Sequence, residues 1–204
     1  MVAVEDVSYD FGHAFRVRPR ASGVPCARRR SSLWEGAVGG ASGTKVELKA
    51  GSVANSKGDV EKLLGRLDGS GSQDEYDAAA ELRRILGSEL PVYLLAKFRT
   101  SRKWQARCAC VFRALPYARD SEDAVTLGRE VIRDRSRVVR YRAGMLLAYS
   151  QRVGVIPELR EILKQKGRGP EMDDVRAALD ALEAKNPNYY VDRDHSGMVT
   201  MTIA

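Results

Sequence analysis

Apolar residues recur at helical spacing from Asp59 to Lys185, and short breaks divide this stretch into eight segments. Ser or Asp residues stand where helices would start, Pro91 suits a first helical turn, and glycine-rich runs separate several segments. We predict helices over residues 59–67, 74–86, 91–98, 101–115, 121–132, 136–150, 155–166 and 171–185. Because only a few residues separate consecutive helices, they form four helical hairpins.

Two of these segments are related by a repeat of 35 residues. SRKWQARCACVFRAL, which begins at Ser101, aligns with SRVVRYRAGMLLAYS, which begins at Ser136. The alignment places Trp104 at the position of Val139, on one inward-facing apolar stripe. A period of roughly 30 to 40 residues with two helices per unit is typical of alpha solenoids. The sequence therefore predicts an all-α solenoid with Trp104 in its core.

The later repeats resemble the HEAT family. Its pattern of a turn aspartate followed by valine-arginine, a small residue and leucine on the second helix is matched by Asp134, Val139-Arg140, Ala143 and Leu147, and again by Asp173 or Asp174, Val175-Arg176 and Leu182. The unit from Trp104 departs from the pattern, with Gln105 in the arginine position. The resemblance covers residues 59–185 and is good only for 101–185. It implies that Arg140 and Arg176 pair with turn aspartates of adjacent repeats.

The chain divides into three regions. Residues 1–56 become rich in Gly, Ser, Ala and Arg after residue 21. Such a composition cannot bury enough apolar surface to offset chain entropy, so we predict a mostly disordered basic arm. Residues 57–186 form the helical repeat domain. Over 187–204, strand-forming residues flank a turn, which predicts a short β-hairpin that caps the last repeat.

The C-terminal turn DRDHSG carries part of a calcium-loop pattern. The side-chain oxygens of Asp192, Asp194 and Ser196 stand at the first, third and fifth positions, and Gly197 stands at the sixth. Ile203 occupies the twelfth position, where a complete loop needs a bidentate acid. We favour a tight turn in which the Asp and Ser side chains accept hydrogen bonds from nearby amides, with a calcium site as the alternative.

A basic block extends over residues 97–142, which contain 13 basic and 5 acidic side chains. Such a block attracts acidic proteins or nucleic acid through long-range fields. Our candidate partner-binding residues are seven cations of this block: Arg99, Arg102, Lys103, Arg107, Arg135, Arg137 and Arg142.

Catalytic and cofactor motifs are missing from the sequence. It contains only two histidines, His13 and His195, and no phosphate-binding glycine motif, so we predict neither an enzyme nor a cofactor. Cys108 and Cys110 lie two apart in a helix and point in different directions, so they cannot share a metal ion. With Trp104 in the core and no acid nearby, an enzyme resembling HEAT-like DNA glycosylases is disfavoured.

These observations predict a non-catalytic, macromolecule-binding scaffold, most simply an adaptor for a protein with an acidic surface. No apolar run long enough to span a membrane and no secretion signal is found, so we expect a cytoplasmic protein. The ending NPNYYVDRDHSG resembles tails of bacterial HEAT-repeat immunity proteins, which implies a possible inhibitor of a toxin. The alternative is a nucleic-acid-binding module that uses the basic surface of residues 97–142.

Overall fold

The computed structural model describes residues 57–167 and 169–203, together with the backbone strand β1 (Arg18–Pro19). The eight α-helices of the described chain are α1 (Lys57–Arg66), α2 (Gln73–Leu86), α3 (Leu90–Thr100), α4 (Trp104–Ala114), α5 (Glu122–Val131), α6 (Arg137–Ser150), α7 (Ile156–Lys166) and α8 (Asp173–Glu183). All eight predicted helical segments are present, so the predicted all-α class is confirmed. Apart from β1, the predicted basic arm lies outside the described residues.

Side-chain caps fix the starts of two helices. The hydroxyl oxygens of Ser72 and Ser121 each accept a hydrogen bond of 3.2 Å from an amide in the first turn of α2 and α5, respectively. These bonds satisfy amides that have no partner within the helix. The sequence pattern placed the cap of α2 at Asp74, but that side chain instead accepts a hydrogen bond from Arg66 on α1, at 2.9 Å.

Helices that follow one another along the chain pack in pairs: α1 with α2, α3 with α4, α5 with α6 and α7 with α8. The first helices α3 and α5 also contact each other, as do the second helices α4 and α6, and α6 and α8. Every pair contributes fully buried leucines to one apolar core, among them Leu82, Leu94, Leu127, Leu147 and Leu182. By contrast, α2 and α4 make few contacts, which leaves a groove between them. No described helix has the length and apolar character needed to cross a membrane.

A buried ion pair joins the second and third hairpins. Arg107 on α4 donates hydrogen bonds to Asp134, from Nε to Oδ2 at 2.6 Å and from Nη2 to Oδ1 at 3.0 Å. The ladder predicted from Arg140 and Arg176 was wrong. Arg140 bonds carbonyl oxygens of its own turn, and Arg176 pairs with Asp173 of its own hairpin. Each of these two arginines follows its own turn by a few residues, so it reaches that turn without crossing to another hairpin.

The C-terminal segment differs from the predicted β-hairpin. Its first part is a 3-10 helix, Pro187–Tyr190, and the strand β2 (Val199–Thr200) pairs antiparallel with β1 rather than with residues 189–191. The side chain of Asn186 accepts a hydrogen bond from the amide of Asn188 at 3.1 Å, which favours the helical turn over an extended strand. In this conformation Tyr190 is fully buried, and the segment packs against α6 and α8.

Candidate functional site

Four exposed cations lie on the turns that join the helices of the second and third hairpins. Arg102 and Lys103 precede α4, and Arg135 and Arg137 flank the start of α6. None of the four forms an ion pair with an acidic side chain in the described part of the chain. We call these four residues the turn edge. Because these exposed side chains form no ion pair with a described acid, the turn edge presents positive charge to solvent.

The buried pair of Arg107 and Asp134 fixes both turns of this edge. Nη1 of Arg107 donates to the carbonyl oxygen of Arg102 at 2.5 Å, and the amide of Ser136 donates to Oδ1 of Asp134 at 2.8 Å. Burial alone would raise the pKa of Asp134, but the hydrogen bonds from Arg107 and Ser136 and the charge of Arg107 together hold this pKa below its usual value. Arg107 is only 7% exposed, which corrects its prediction as a surface contact.

The remaining candidate cations occupy different surroundings. Arg99 at the end of α3 donates from Nε to Oε2 of Glu130 on α5 at 3.0 Å, so an acid of the next hairpin already neutralises it. Arg142 is half-buried on α6, and its guanidinium carbon lies 5.0 Å from the ring centre of Phe112 on α4. Arg142 therefore belongs to the groove and not to the turn edge.

The groove extends across α2, α4 and α6 beside the α1–α2 turn. Its volume is about 510 Å³, including space open to solvent. Three kinds of side chain determine its chemistry, namely aromatic rings, arginines and one glutamate. They are Tyr76, Trp104, Phe112, Arg113, Arg142 and Glu75. The groove thus combines apolar surface with opposite charges in separate places.

Trp104 lies on the wall of the groove, with 37% of its surface exposed. The sequence alignment predicted that this residue is buried like Val139, and that prediction was wrong. Two features account for the difference. The adjoining α1–α2 turn contributes Gly69 and Gly71, which have no side chain to cover the indole ring. In addition, α2 does not pack along α4 as α4 packs along α6.

Two arginines surround Phe112 within the groove. The guanidinium carbon of Arg113 lies 5.3 Å from the Phe112 ring centre and 4.6 Å from that of Tyr76, while Arg142 approaches Phe112 as described. These are cation–π distances. Neither arginine forms an ion pair with an acidic side chain in residues 57–167 or 169–203. Nε of Arg113 is shielded from solvent and lacks a hydrogen-bond partner there.

The pKa of Arg113 reflects this incomplete compensation. Burial lowers it, and the negative charge of Glu75 only partly opposes that effect. Glu75 is itself 4% exposed, and its Oε2 accepts a hydrogen bond from the amide of Gly71 at 2.8 Å. Together with the Ser72 cap, this bond resembles a capping box. Glu75 therefore serves the start of α2.

The cysteines give the groove little reactivity. Cys108 lines it, and burial raises the pKa of this thiol, although the charge of Arg142 partly opposes the shift. Burial raises the pKa of Cys110 to about 12. Because the thiolate is the nucleophilic form and both pKa values are raised, neither thiol is an activated nucleophile.

The DRDHSG turn uses its own oxygens internally. Oδ1 of Asp192 accepts from the hydroxyl of Ser196 at 2.6 Å, and Oδ2 accepts from the amide of Gly197 at 2.6 Å. Gly197 has a φ of +72°, as the predicted tight turn requires. That turn is confirmed. Asp194 is exposed, and in the described regions no group of three or more His, Cys, Asp or Glu side chains is arranged to hold a metal ion.

Comparison with protein-family models, curated proteins and solved structures finds no match for this chain. The groove must therefore be interpreted from its own chemistry. Sequence reasoning missed Tyr76, Glu75 and Arg113 as parts of one site. A signal for the groove was present in the repeat alignment, because Cys108 and Phe112 stand where the next repeat has smaller or aliphatic core residues.

Proposed function

We propose that this protein is a non-catalytic scaffold in which four HEAT-like hairpins stack as a solenoid and bind an acidic protein partner in the cytoplasm. The packing of α4, α6 and α8 in succession supports this stacking for the second, third and fourth hairpins. A solenoid presents side chains from equivalent positions of successive units, and this extended surface is suited to a large partner.

The turn edge is the observation that carries the proposal. Elsewhere in the basic block, acids of neighbouring helices neutralise exposed arginines, as Glu130 does for Arg99 and Glu158 does for Arg133. The turn edge has no such acids among the described residues. An acidic partner would supply them, and charge complementarity of this kind increases association rates and selects the correct partner.

Affinity capture tests this proposal. The full-length protein is used as bait in nuclease-treated cytosol at low and raised salt, and retained proteins are quantified by mass spectrometry. We expect one partner whose retention falls at raised salt. The double variant Arg102→Glu and Arg137→Glu should lose this partner while its circular dichroism spectrum stays unchanged. Full retention by the folded double variant would contradict the proposed contact.

A matched control reverses two exposed charges elsewhere. Lys164 and Lys166 lie near the end of α7, away from the turn edge, and neither forms an ion pair with a described acid. The variant Lys164→Glu and Lys166→Glu changes the net charge by the same amount, so we expect it to keep the partner. If the partner is a toxin, the scaffold would be an immunity-type inhibitor, as the resemblance of the C-terminal tail implies.

A nucleic-acid-binding module is the second candidate function, and the exposure of Trp104 favours it. Aromatic side chains next to cations bind single-stranded nucleic acids by stacking on bases and contacting phosphates. The turn edge and the groove arginines supply the cations. A parallel capture uses untreated cytosol, and loss of all material retained there after nuclease treatment would support this candidate over the protein scaffold.

A further inference from the structure

We infer that the groove binds a linear segment of a partner protein, with one carboxylate between Arg113 and Arg142 and an apolar side chain against Trp104. This inference rests on the proposed protein-binding function and specifies which kind of partner the scaffold recognises. The turn edge would attract the partner, whereas the groove would select the segment that enters it.

The environment of the two arginines favours a carboxylate. Both guanidinium carbons lie within about 5 Å of the same Phe112 ring centre, and no described acid pairs with either group. The shielded Nε of Arg113 has no hydrogen-bond partner in the described chain. A carboxylate accepts hydrogen bonds from guanidinium groups in charge-assisted pairs, which are stronger than neutral ones. It would therefore supply the negative charge that neither arginine finds in an ion pair with a described acid.

Glu75 determines where the carboxylate lies. Its side chain is held at the α2 end of the groove by the amide of Gly71. A second negative charge beside Glu75 would be repelled, so the bound carboxylate is placed toward Arg142 on α6. A segment with acids at every position fits this arrangement poorly. The groove therefore selects one acid followed or preceded by apolar residues, and not a polyacidic stretch.

The apolar part of the segment packs against Trp104. This ring is 37% exposed, and Val138 of α6 lines the same groove. Tryptophan and arginine are the side chains that most often dominate binding energy at protein interfaces, particularly in water-excluding pockets. The groove is open to solvent, which lets the apolar side chain of a linear segment approach the Trp104 ring.

Tryptophan fluorescence gives a direct test with the full-length chain. The sequence has two tryptophans, so Trp34→Phe leaves Trp104 as the single reporter. The probes are acetylated, amidated nine-residue peptides of Gly and Ser with one glutamate and one phenylalanine placed one to four residues before or after it. We expect at least one peptide to change the Trp104 emission saturably. Its glutamine analogue should bind at least about tenfold more weakly, because a charged hydrogen bond is lost.

Variants of the groove arginines separate binding from folding. Arg142→Gln should remove the preference for glutamate over glutamine, whereas Arg142→Lys should retain part of it because it keeps the charge. Arg113→Gln is tested in parallel, and thermal unfolding reports whether each variant remains folded. The variant Lys164→Glu serves as the control, since Lys164 lies on α7, outside both the groove and the turn edge, and should keep the glutamate preference.

Any of three results with the peptides would overturn the inference. The first is that no peptide of the set binds saturably, the second is that the glutamate and glutamine peptides bind equally well, and the third is that the folded Arg142→Gln variant keeps the full preference for glutamate over glutamine. A single-stranded octanucleotide that quenches Trp104 more strongly than every peptide would also overturn it, in favour of the nucleic-acid module. If the peptides fail while turn-edge reversal still abolishes partner capture, the scaffold proposal stands and only the groove assignment falls.

Discussion

Tyr190 donates a hydrogen bond of 2.5 Å from its hydroxyl to the carbonyl oxygen of Tyr141, which precedes it by 49 residues. The Tyr190 side chain is fully buried, and the two rings lie 5.5 Å apart between centres. This contact attaches the C-terminal segment to the middle of α6. The close approach of the Tyr190 ring to α6 is possible because Gly144, one helical turn after Tyr141, has no side chain to obstruct it.

Gly144→Ala should therefore destabilise the fold. The added methyl group would lie 2.8 Å from the Tyr190 ring and hydroxyl, and such overpacking costs about 1–3 kcal/mol. Urea unfolding monitored by circular dichroism measures the change. Gly65→Ala in α1 is the matched control, because nothing lies within 4 Å of the added methyl and alanine favours a helix. Equal unfolding midpoints for the two variants would contradict this account.

Removal of one partner from the buried ion pair should be costly. Asp134→Ala leaves the Arg107 guanidinium buried without its acid, and loss of one partner from such a pair costs about 3–5 kcal/mol. The comparison is Glu183→Ala, which removes the exposed partner of Arg160 and should cost about 1 kcal/mol or less. Urea unfolding of both variants at pH 7 tests the difference. Similar losses would show that burial does not govern these pairs.

The stabilisation from Asp134 should depend on pH. Its pKa in the folded chain is lowered, so its contribution is fully present above the ordinary aspartate pKa of about 3.9 and is lost as the pH falls through the lowered value. We expect the stability difference between the natural chain and Asp134→Asn to be constant from pH 7 to 5 and to shrink below pH 4. A difference that stays constant down to pH 2.5 would refute this assignment.

Trp104→Ala should affect stability less than truncation of an equivalent core residue. Because the indole ring is 37% exposed, we expect a loss of roughly 1–2 kcal/mol, compared with about 2–5 kcal/mol for Leu147→Ala in the buried face of α6. Urea unfolding gives both values. A loss as large for Trp104 as for Leu147 would place the ring in the core and remove it from the groove.

The helical pattern could be predicted from sequence because it depends on local residues. Helix starts at Ser121 and Ser136 and the apolar period along α6 fix these elements without reference to the rest of the chain. The groove could not be predicted in this way. Trp104 and Val139 occupy equivalent positions in the repeat, but the packing of the preceding hairpin differs around them. Exposure at a repeat position depends on the neighbouring unit and not on the position itself.

The same limit applies to the ion pair and the C-terminal segment. The HEAT resemblance implied an inter-hairpin pair for Arg140, whereas that contact belongs to Arg107, which is not part of the HEAT pattern. Strand-forming residues around Tyr190 suggested an extended conformation. The burial of Tyr190 against α6 and α8 outweighed that local preference, as tertiary packing often does.

The hydrogen bonds from Arg107 to Arg102 and from Ser136 to Asp134 have a geometric consequence for the turn edge. They connect the two turns through one buried ion pair, so the backbones of Arg102 and Arg135 cannot move apart without breaking it. The two turns are thereby held at a fixed spacing. Under the proposed function, a partner whose acids match this spacing needs no rearrangement of the two turns, while one with the same charge at another spacing gains only part of the attraction.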